Sequence, residues 1–107
     1  MHETQQIQIR LAQPDDAVTV AAVLYESFVE FEALYTEGGF AATTPGAQQV
    51  LTRMQEGPVW VGLREGVVLG TVAAVVKGES VYIRGMAVLP NARGSGVGAG
   101  LLKQLED

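Results

Sequence analysis

The residues that could do chemistry are concentrated in one short run, Arg93-Gly94-Ser95-Gly96-Val97-Gly98. Glycines let a bulky anion approach backbone N–H groups without a clashing Cβ, and they permit the positive φ angles of a loop that wraps around a ligand. If a helix begins here, its first N–H groups have no partners inside the helix and point outward at the positive end of the dipole. Arg93 adds a cation with a fork of donors suited to phosphate. The run therefore predicts a binding site for a pyrophosphate.

The charge of the whole chain does not oppose such a site. The 107 residues carry 7 basic and 12 acidic side chains, which gives a net charge of −5. Repulsion from distant carboxylates is screened beyond about 8 Å at physiological salt. Each local charge-assisted hydrogen bond contributes about 1.5–3 kcal/mol. A net acidic chain does argue against a nucleic-acid or anionic-membrane partner, because both need a basic face.

Composition excludes several other kinds of site. The chain has no cysteine, which rules out disulfides, thiol nucleophiles and thiolate zinc sites. Its single histidine is His2, so we expect neither a Ser-His-Asp triad nor a bound metal. The longest charge-free apolar run, residues 66–76, is too short to span a bilayer, and no signal peptide opens the chain. We expect one globular, cytoplasmic domain.

The elements that must position the glycine run follow from the spacing of apolar residues. Ile7, Ile9 and Leu11 alternate with polar residues, which predicts a strand. Pro14-Asp15-Asp16 predicts the start of a long helix that ends at Glu37-Gly38-Gly39. Its apolar face is predicted at spacings of three and four residues: Ala17, Ala21, Leu24, Phe28, Phe31 and Tyr35. We expect these aromatic residues and Tyr25 to form core and groove wall, and Glu26, Glu30 and Glu32 to form a solvated face.

A second helix and a sheet are predicted next. Thr44-Pro45 opens the helix and Gly57-Pro58 ends it. Three β-branched runs follow, at residues 59–63, 67–76 and 81–89, joined by short glycine-containing turns. They predict a three-stranded antiparallel meander. A last helix is predicted from the four-residue spacing of Val97, Leu101 and Leu105, entered through the glycine run.

This order of elements, together with residues 93–98, resembles the GCN5-related N-acetyltransferases, the GNAT superfamily. Their signature for acetyl-coenzyme A is Arg/Gln-x-x-Gly-x-Gly/Ala, and residues 93–98 match every defined position. Gly85-Met86-Ala87-Val88-Leu89-Pro90 is similar to the family's fourth strand, which ends in Val-x-Pro, and Pro14-Asp15-Asp16 is similar to its first helical turn. The resemblance implies one α/β domain over residues 1–107, with α+β layers and a GNAT-like acyl-CoA N-acyltransferase fold. It also implies that the family's C-terminal strands are missing from these residues.

The resemblance further implies direct transfer of acetyl from acetyl-CoA, a co-substrate, to the primary amine of a small molecule or peptide. A base would remove the amine proton while backbone N–H groups polarise the carbonyl. Backbone groups of one strand would pair with the pantetheine arm of the coenzyme, and Gly85 beside Arg84 would mark a β-bulge. The implied coenzyme-binding residues are Met86, Ala87, Val88, Arg93, Gly94, Ser95, Gly96, Val97 and Gly98.

The general base stays open. Some family members place a glutamate on the fourth strand, where this chain has Ser80 with Glu79 beside it. Neighbouring strand residues face opposite ways, so Glu26, Glu30 or a water relay are equal candidates to Glu79. Because the C-terminal strands and their tyrosine acid are missing, we expect these 107 residues alone to be catalytically weak. We also expect the last strand to expose an open edge that favours association, such as a homodimer. The alternative function is a non-catalytic acyl-CoA sensor or interaction module.

Overall fold

Ten short elements form the chain in the computed structural model, which describes residues 7–36, 38–39 and 44–106. The strands are β1 (Ile7–Leu11), β2 (Val59–Arg64), β3 (Val67–Lys77) and β4 (Ser80–Val88). The α-helices are α1 (Ala17–Phe28), α2 (Ala47–Glu56) and α3 (Val97–Glu106). Short 3-10 segments occupy Pro14–Asp16, Val29–Leu34 and Pro90–Ala92.

The strands form one antiparallel sheet in the order β1-β2-β3-β4. A two-residue turn joins β2 to β3. Both of its residues, Glu65 (φ 53°) and Gly66 (φ 83°), adopt a left-handed backbone conformation, which suits the twist of a hairpin. Gly78 (φ 62°) and Glu79 turn the chain between Lys77 and Ser80, which pair across β3 and β4. The predicted meander is confirmed, and the predicted α/β class with α+β layers is that of the structure.

Helices cover both faces of the sheet. On one face, α1 and α2 pack against Val61, Leu63 and Ala87. On the other face, α3 packs against alternate residues such as Val72. Because both faces are covered, the central strands are buried almost continuously, which explains why their sequences are β-branched runs rather than strict alternations.

Two glycines bring α3 close to the sheet. A Cβ at Gly62 would lie 2.9 Å from Val97 Cγ1, and a Cβ at Gly70 would lie 2.8 Å from the same atom. Val97 and Leu101 are fully buried in this contact. The first turn of α3 is therefore fixed on the sheet by packing, which fixes the position of the glycine run that precedes it.

The path of the first helix differs from the prediction. α1 ends at Phe28, and the chain tightens into the 3-10 segment Val29–Leu34. The buried face of α1 is Ala17, Val20, Val23, Leu24 and Ser27. Tyr25, Phe31 and Tyr35 are 50%, 38% and 39% exposed, so they do not belong to the core, and a place in a groove wall stays a prediction for them. The predicted face assumed one continuous helical period, which fails once the helix tightens. Glu37, at the predicted end, lies outside the described residues.

Side chains fix the start of the first helix. Arg10 binds Asp16 through two hydrogen bonds, Nη1–Oδ2 at 2.8 Å and Nη2–Oδ1 at 3.1 Å. The Gln13 N–H also donates to Asp16 Oδ2, at 2.7 Å. The Arg10 bond, and after it the Gln13 bond, lowers the pKa of Asp16. α2 begins at Ala47, later than the predicted Thr44-Pro45.

Within the described ranges, no helix combines the length and apolar character that crossing a membrane requires.

Candidate functional site

The glycine run forms an open loop between β4 and α3. Gly94 (φ 85°) and Gly96 (φ 98°) both adopt left-handed backbone that favours glycine. A Cβ at either position would meet nothing within 4 Å. Glycine is therefore required here by the backbone conformation, and the space beside it is open to a ligand.

The first amides of α3 point into that space. The Gly100 N–H donates to Gly96 O at 3.0 Å, and this bond closes the first turn. Among the described residues, neither the Gly96 N–H nor the Gly98 N–H donates a hydrogen bond to a backbone acceptor. Val97 N lies 3.4 Å from Ser95 Oγ, a long contact. The helix N-terminus thus presents unpaired donors together with the positive end of its dipole, the combination that binds anions.

The open edge of β4 lies beside this loop. A Cβ at Gly98 would lie 3.4 Å from Met86 Cε and 3.6 Å from Val88 Cγ2. The Leu89 N–H donates to Leu69 O on the β3 side at 2.9 Å. Because backbone groups alternate in direction along a strand, Met86 and Val88 turn theirs toward the edge away from β3. Of the three residues predicted to pair with a ligand, Ala87 alone faces β3, opposite Thr71.

Arg93 ties the loop to the end of α1. Its Nη1 donates to Glu30 Oε1 at 3.0 Å, its Nη2 to Ser27 O at 2.9 Å and its Nε to Val88 O at 3.3 Å. The guanidinium also stands 6.0 Å from the centre of the Phe31 ring. Three of its five N–H groups therefore donate hydrogen bonds to protein oxygens, and two remain for a ligand. Sequence reasoning missed this contact, because nothing local links residues 63 positions apart.

The carboxylates considered as bases are dispersed. Glu30 is the partner of Arg93, with 47% of its side chain exposed. Glu26 is exposed on α1. Glu79 lies in the turn before β4, so the nine residues of that strand, roughly 30 Å at 3.3 Å each, separate it from the loop. The structure thus brings Glu30, but not Glu79, to the glycine loop.

A β-bulge interrupts β4 beyond the loop. Ala73 pairs with Gly85 and Ala74 pairs with Ile83, so Arg84 is an extra residue. The predicted bulge is confirmed. Such a bulge re-aims side chains, and here Arg84 forms an ion pair with Glu56 on α2.

Arg53 of α2 lies at the same bulge. Its Nη1 is 3.5 Å from the position of a Cβ on Gly85, and the residue lines a narrow apolar cavity beside Thr71. Burial, and after it the positive charge of Arg84, lowers the pKa of the Arg53 guanidinium, while Glu56 opposes the shift. In the part of the chain that the structure describes, no three acidic or histidine side chains come together as a metal site.

The chain matches a family model and is similar to several solved structures. The model described as Acetyltransferase (GNAT) family matches residues 21–107. None of the curated proteins compared with the chain matches it. The chain is similar to the PaiA N-acetyltransferase of Thermoplasma acidophilum in complex with coenzyme A, with a TM-score of 0.81 and 15% identity over 94% of this chain and 70% of that one.

Two further solved structures share the fold. One is a GNAT family acetyltransferase from Brucella melitensis in complex with acetyl-CoA, with a TM-score of 0.72 and 21% identity over 95% of this chain and 67% of that one. The other is the ribosomal-protein-S18-alanine N-acetyltransferase of Escherichia coli, with a TM-score of 0.73 and 13% identity over 94% of this chain. The chain spans 57% of that enzyme's length.

Proposed function

This chain belongs to the acetyltransferase (GNAT) family, and from that premise we propose that it binds acetyl-CoA and transfers the acetyl group to a primary amine. The observation that carries the proposal is the pair of unpaired N–H groups at Gly96 and Gly98. They stand at a helix N-terminus, beside left-handed glycines that leave room for a ligand. A diphosphate suits this place because its oxygens accept from several N–H groups at once.

The open edge of β4 supports the same ligand. The outward backbone groups of Met86 and the outward N–H of Val88 suit the two amides of a pantetheine arm, which would add to the sheet as a further strand does. The Val88 carbonyl already accepts a hydrogen bond from Arg93 Nε. The arm would then run from the loop toward the bulge at Gly85. Ala87 supports this edge by pairing with β3, so its part is indirect.

Arg93 has two parts in this proposal. It holds the loop against the end of α1 through Ser27 and Glu30, and its two remaining N–H donors would be available to a bound phosphate. The local positive charge adds to that of the helix dipole. Ser95 and Val97 contribute through the backbone of the loop, and the buried Val97 side chain holds that backbone in place.

The coenzyme supplies an activated acetyl thioester, and the chain supplies position and proton transfer. The acceptor amine must lose a proton before or during attack on the thioester carbonyl. Glu26, Glu30 and a water relay are the proposed routes for that proton. Glu30 can serve only when its ion pair with Arg93 opens, and the distance of Glu79 from the loop argues against it.

Titration with CoA tests the proposal. We expect calorimetry to show one binding site, and amide NMR spectra to shift at Gly96, Gly98 and the β4 edge residues Met86 and Val88. CoA should bind far more tightly than pantetheine, which lacks the diphosphate. Equal affinity for the two compounds, or no binding of CoA, would overturn the proposal.

A second candidate function is an acyl-CoA sensor without catalysis. It is favoured by the positions of two candidate bases. Glu30 is hydrogen-bonded to Arg93, and Glu79 lies far from the loop. Acetylation of an amine panel distinguishes the two functions, because both predict that CoA binds and only the transferase predicts acetylated product.

A further inference from the structure

A narrow apolar cavity lies between the sheet and the helices α1 and α2, next to the bulge of β4. Its volume is about 10 Å³. A cavity of about 10–15 Å³ holds one water molecule, so this one has room for a single small group such as a methyl. The apolar residues that line it are Val20, Leu24, Val50, Val59 and Ala73.

The polar residues of the wall do not make the cavity a polar site. Thr71 is buried, and its hydroxyl donates to Trp60 O at 2.9 Å. Arg53 lines the cavity as well, on the side of Gly85. The rest of the wall is hydrocarbon, where a polar group would lose its hydration without gaining a partner. The group that fits this cavity is therefore apolar.

Gly85 lies between the cavity and the open edge of β4. It pairs with Ala73, and both residues line the cavity, so both turn the same face toward α1 and α2. Because Gly85 has no side chain, bare backbone stands where another residue would place a Cβ. Among the described residues outside its chain neighbours, such a Cβ would meet Arg53 Nη1 alone within 4 Å, at 3.5 Å. Space for about one carbon atom therefore lies over Gly85.

The backbone itself does not require a glycine at this position. Gly85 is not among the residues with a positive φ, and the extra residue of the bulge is Arg84. A glycine inside a strand weakens it, and close approach of a ligand to the backbone is one reason for its presence. The space over Gly85 thus joins the edge of β4 to the cavity.

The path of the coenzyme brings its acyl end to this space, a step that rests on the proposed function. An arm that follows the β4 edge from the loop passes Val88 and Met86 and reaches Gly85. Three residues separate Val88 from Gly85, roughly 10 Å at about 3.3 Å each. The acyl group would then lie beside the one position of this edge where no side chain covers the way to the cavity.

We propose that Gly85 and the cavity select the acyl group of the coenzyme. The methyl of an acetyl group lies over Gly85 and enters the cavity, and longer acyl chains find no further room. Buried side chains such as Val50, which is 1% exposed, limit the volume. The donor is therefore the two-carbon acyl thioester.

Calorimetric titration with CoA, acetyl-CoA, propionyl-CoA and butyryl-CoA tests this proposal. Burial of one methyl group is worth about fourfold in affinity. We expect acetyl-CoA to bind about fourfold more tightly than CoA, and the two longer thioesters to bind no more tightly than acetyl-CoA. In an open apolar groove each further methylene would instead add about fourfold again.

Gly85→Ala places a methyl group of the protein where the acetyl methyl would lie. Its Cβ makes an ordinary contact with Arg53, so the stability measured by urea unfolding should not fall. The affinity for acetyl-CoA should drop about fourfold, to that for CoA, while the affinity for CoA stays the same. Gly46→Ala is the matched control, because its Cβ at the start of α2 meets nothing within 4 Å and should leave the preference for acetyl-CoA intact.

Val50→Ala tests the size of the cavity in the other direction. The larger cavity should accept one more methylene, so propionyl-CoA should bind about fourfold more tightly than acetyl-CoA. If this buried variant does not fold, the Gly85→Ala variant decides.

Three results would overturn the proposal while the proposed function stands. The first is equal affinity of the parent for acetyl-CoA and CoA, and the second is an affinity that keeps rising from acetyl-CoA to butyryl-CoA. The third is a preference for acetyl-CoA over CoA that survives in Gly85→Ala. If none of the four compounds binds, the proposed function fails, and this proposal fails with it.

Discussion

Replacing Gly98 by aspartate should weaken the binding of CoA without lowering the stability of the chain. Gly98 is the second residue of α3, and a Cβ there would stand 3.4 Å from Met86 Cε and 3.6 Å from Val88 Cγ2. Both distances are close to ordinary van der Waals contact, so the side chain fits. The new carboxylate would add a negative charge to the first turn of α3, the turn that carries the unpaired amides.

The stability of the variant should be equal to that of the parent or higher. Aspartate is a few tenths of a kcal/mol more favourable than glycine within a helix. A negative charge in the first helical turn adds about 0.3–1 kcal/mol through the dipole. The free energy of unfolding should therefore rise by about 0.5–1 kcal/mol.

Affinity for CoA should move in the opposite direction. The carboxylate takes the place of a phosphate oxygen and repels the diphosphate. Loss of two charge-assisted hydrogen bonds, at about 1.5–3 kcal/mol each, removes about 3 kcal/mol or more. At about 1.4 kcal/mol per factor of ten, CoA should bind more than 100-fold more weakly.

The assay is calorimetric titration with CoA, paired with urea unfolding. Gly98→Asn is the matched control, because it has the same shape without the charge and should lose less affinity than Gly98→Asp. An aspartate variant that is at least as stable as the parent and binds CoA equally well would refute the assignment of the loop as a phosphate site.

Three further predictions concern contacts around the site. Glu30→Gln should change the free energy of unfolding by less than about 1 kcal/mol, because its ion pair is solvent-exposed, whereas Arg93→Ala should cost about 1–3 kcal/mol and weaken CoA binding. Asp16→Asn should lower the free energy of unfolding at pH 7, and this loss relative to the parent should shrink in acid. The Arg10 contact keeps the pKa of Asp16 below its ordinary 3.8. The stabilisation that the contact gives is therefore lost as pH falls through that lowered value. Gly70→Ala should destabilise by about 1–3 kcal/mol, since its Cβ would lie 3.0 Å from a backbone oxygen. Urea unfolding measures the stability of each variant, and calorimetric titration measures the affinity of the Arg93→Ala variant for CoA.

The Asp16 prediction has a matched control, and those for Arg93 and Gly70 have outcomes that would contradict them. Asp15→Asn removes a neighbouring carboxylate that makes none of the Asp16 hydrogen bonds, and an equal loss at pH 7 in both variants would contradict the role of the Arg10 contact. Arg93→Ala with unchanged stability would mean that the loop does not depend on α1. A Gly70→Ala variant as stable as the parent would show that Val97 of α3 and the β4 backbone at Ala87 can both move away from Gly70 at little cost.

Much of the fold could be predicted because its signals are local. The alternation in β1, the β-branched runs of β2 to β4 and the glycine-containing turns each reflect the conformation of a few neighbouring residues. The same is true of the loop at Gly94 and Gly96, where the need for left-handed backbone is visible in the residue type itself. The face of α1 was predicted less well, because the 3-10 segment after Phe28 breaks the period on which the prediction depended.

The sequence by itself determined the glycine loop, the helix that follows it and the four strands, since each depends on interactions among near neighbours in the chain. Tertiary structure decided which side chains meet. Arg93 reaches Ser27 and Glu30 only because α1 and the loop come together across the sheet edge. Arg84 meets Glu56 of α2 only because one extra residue in β4 changes the direction of its side chain. Register and packing between distant segments control such pairs, and no local pattern of residues records them.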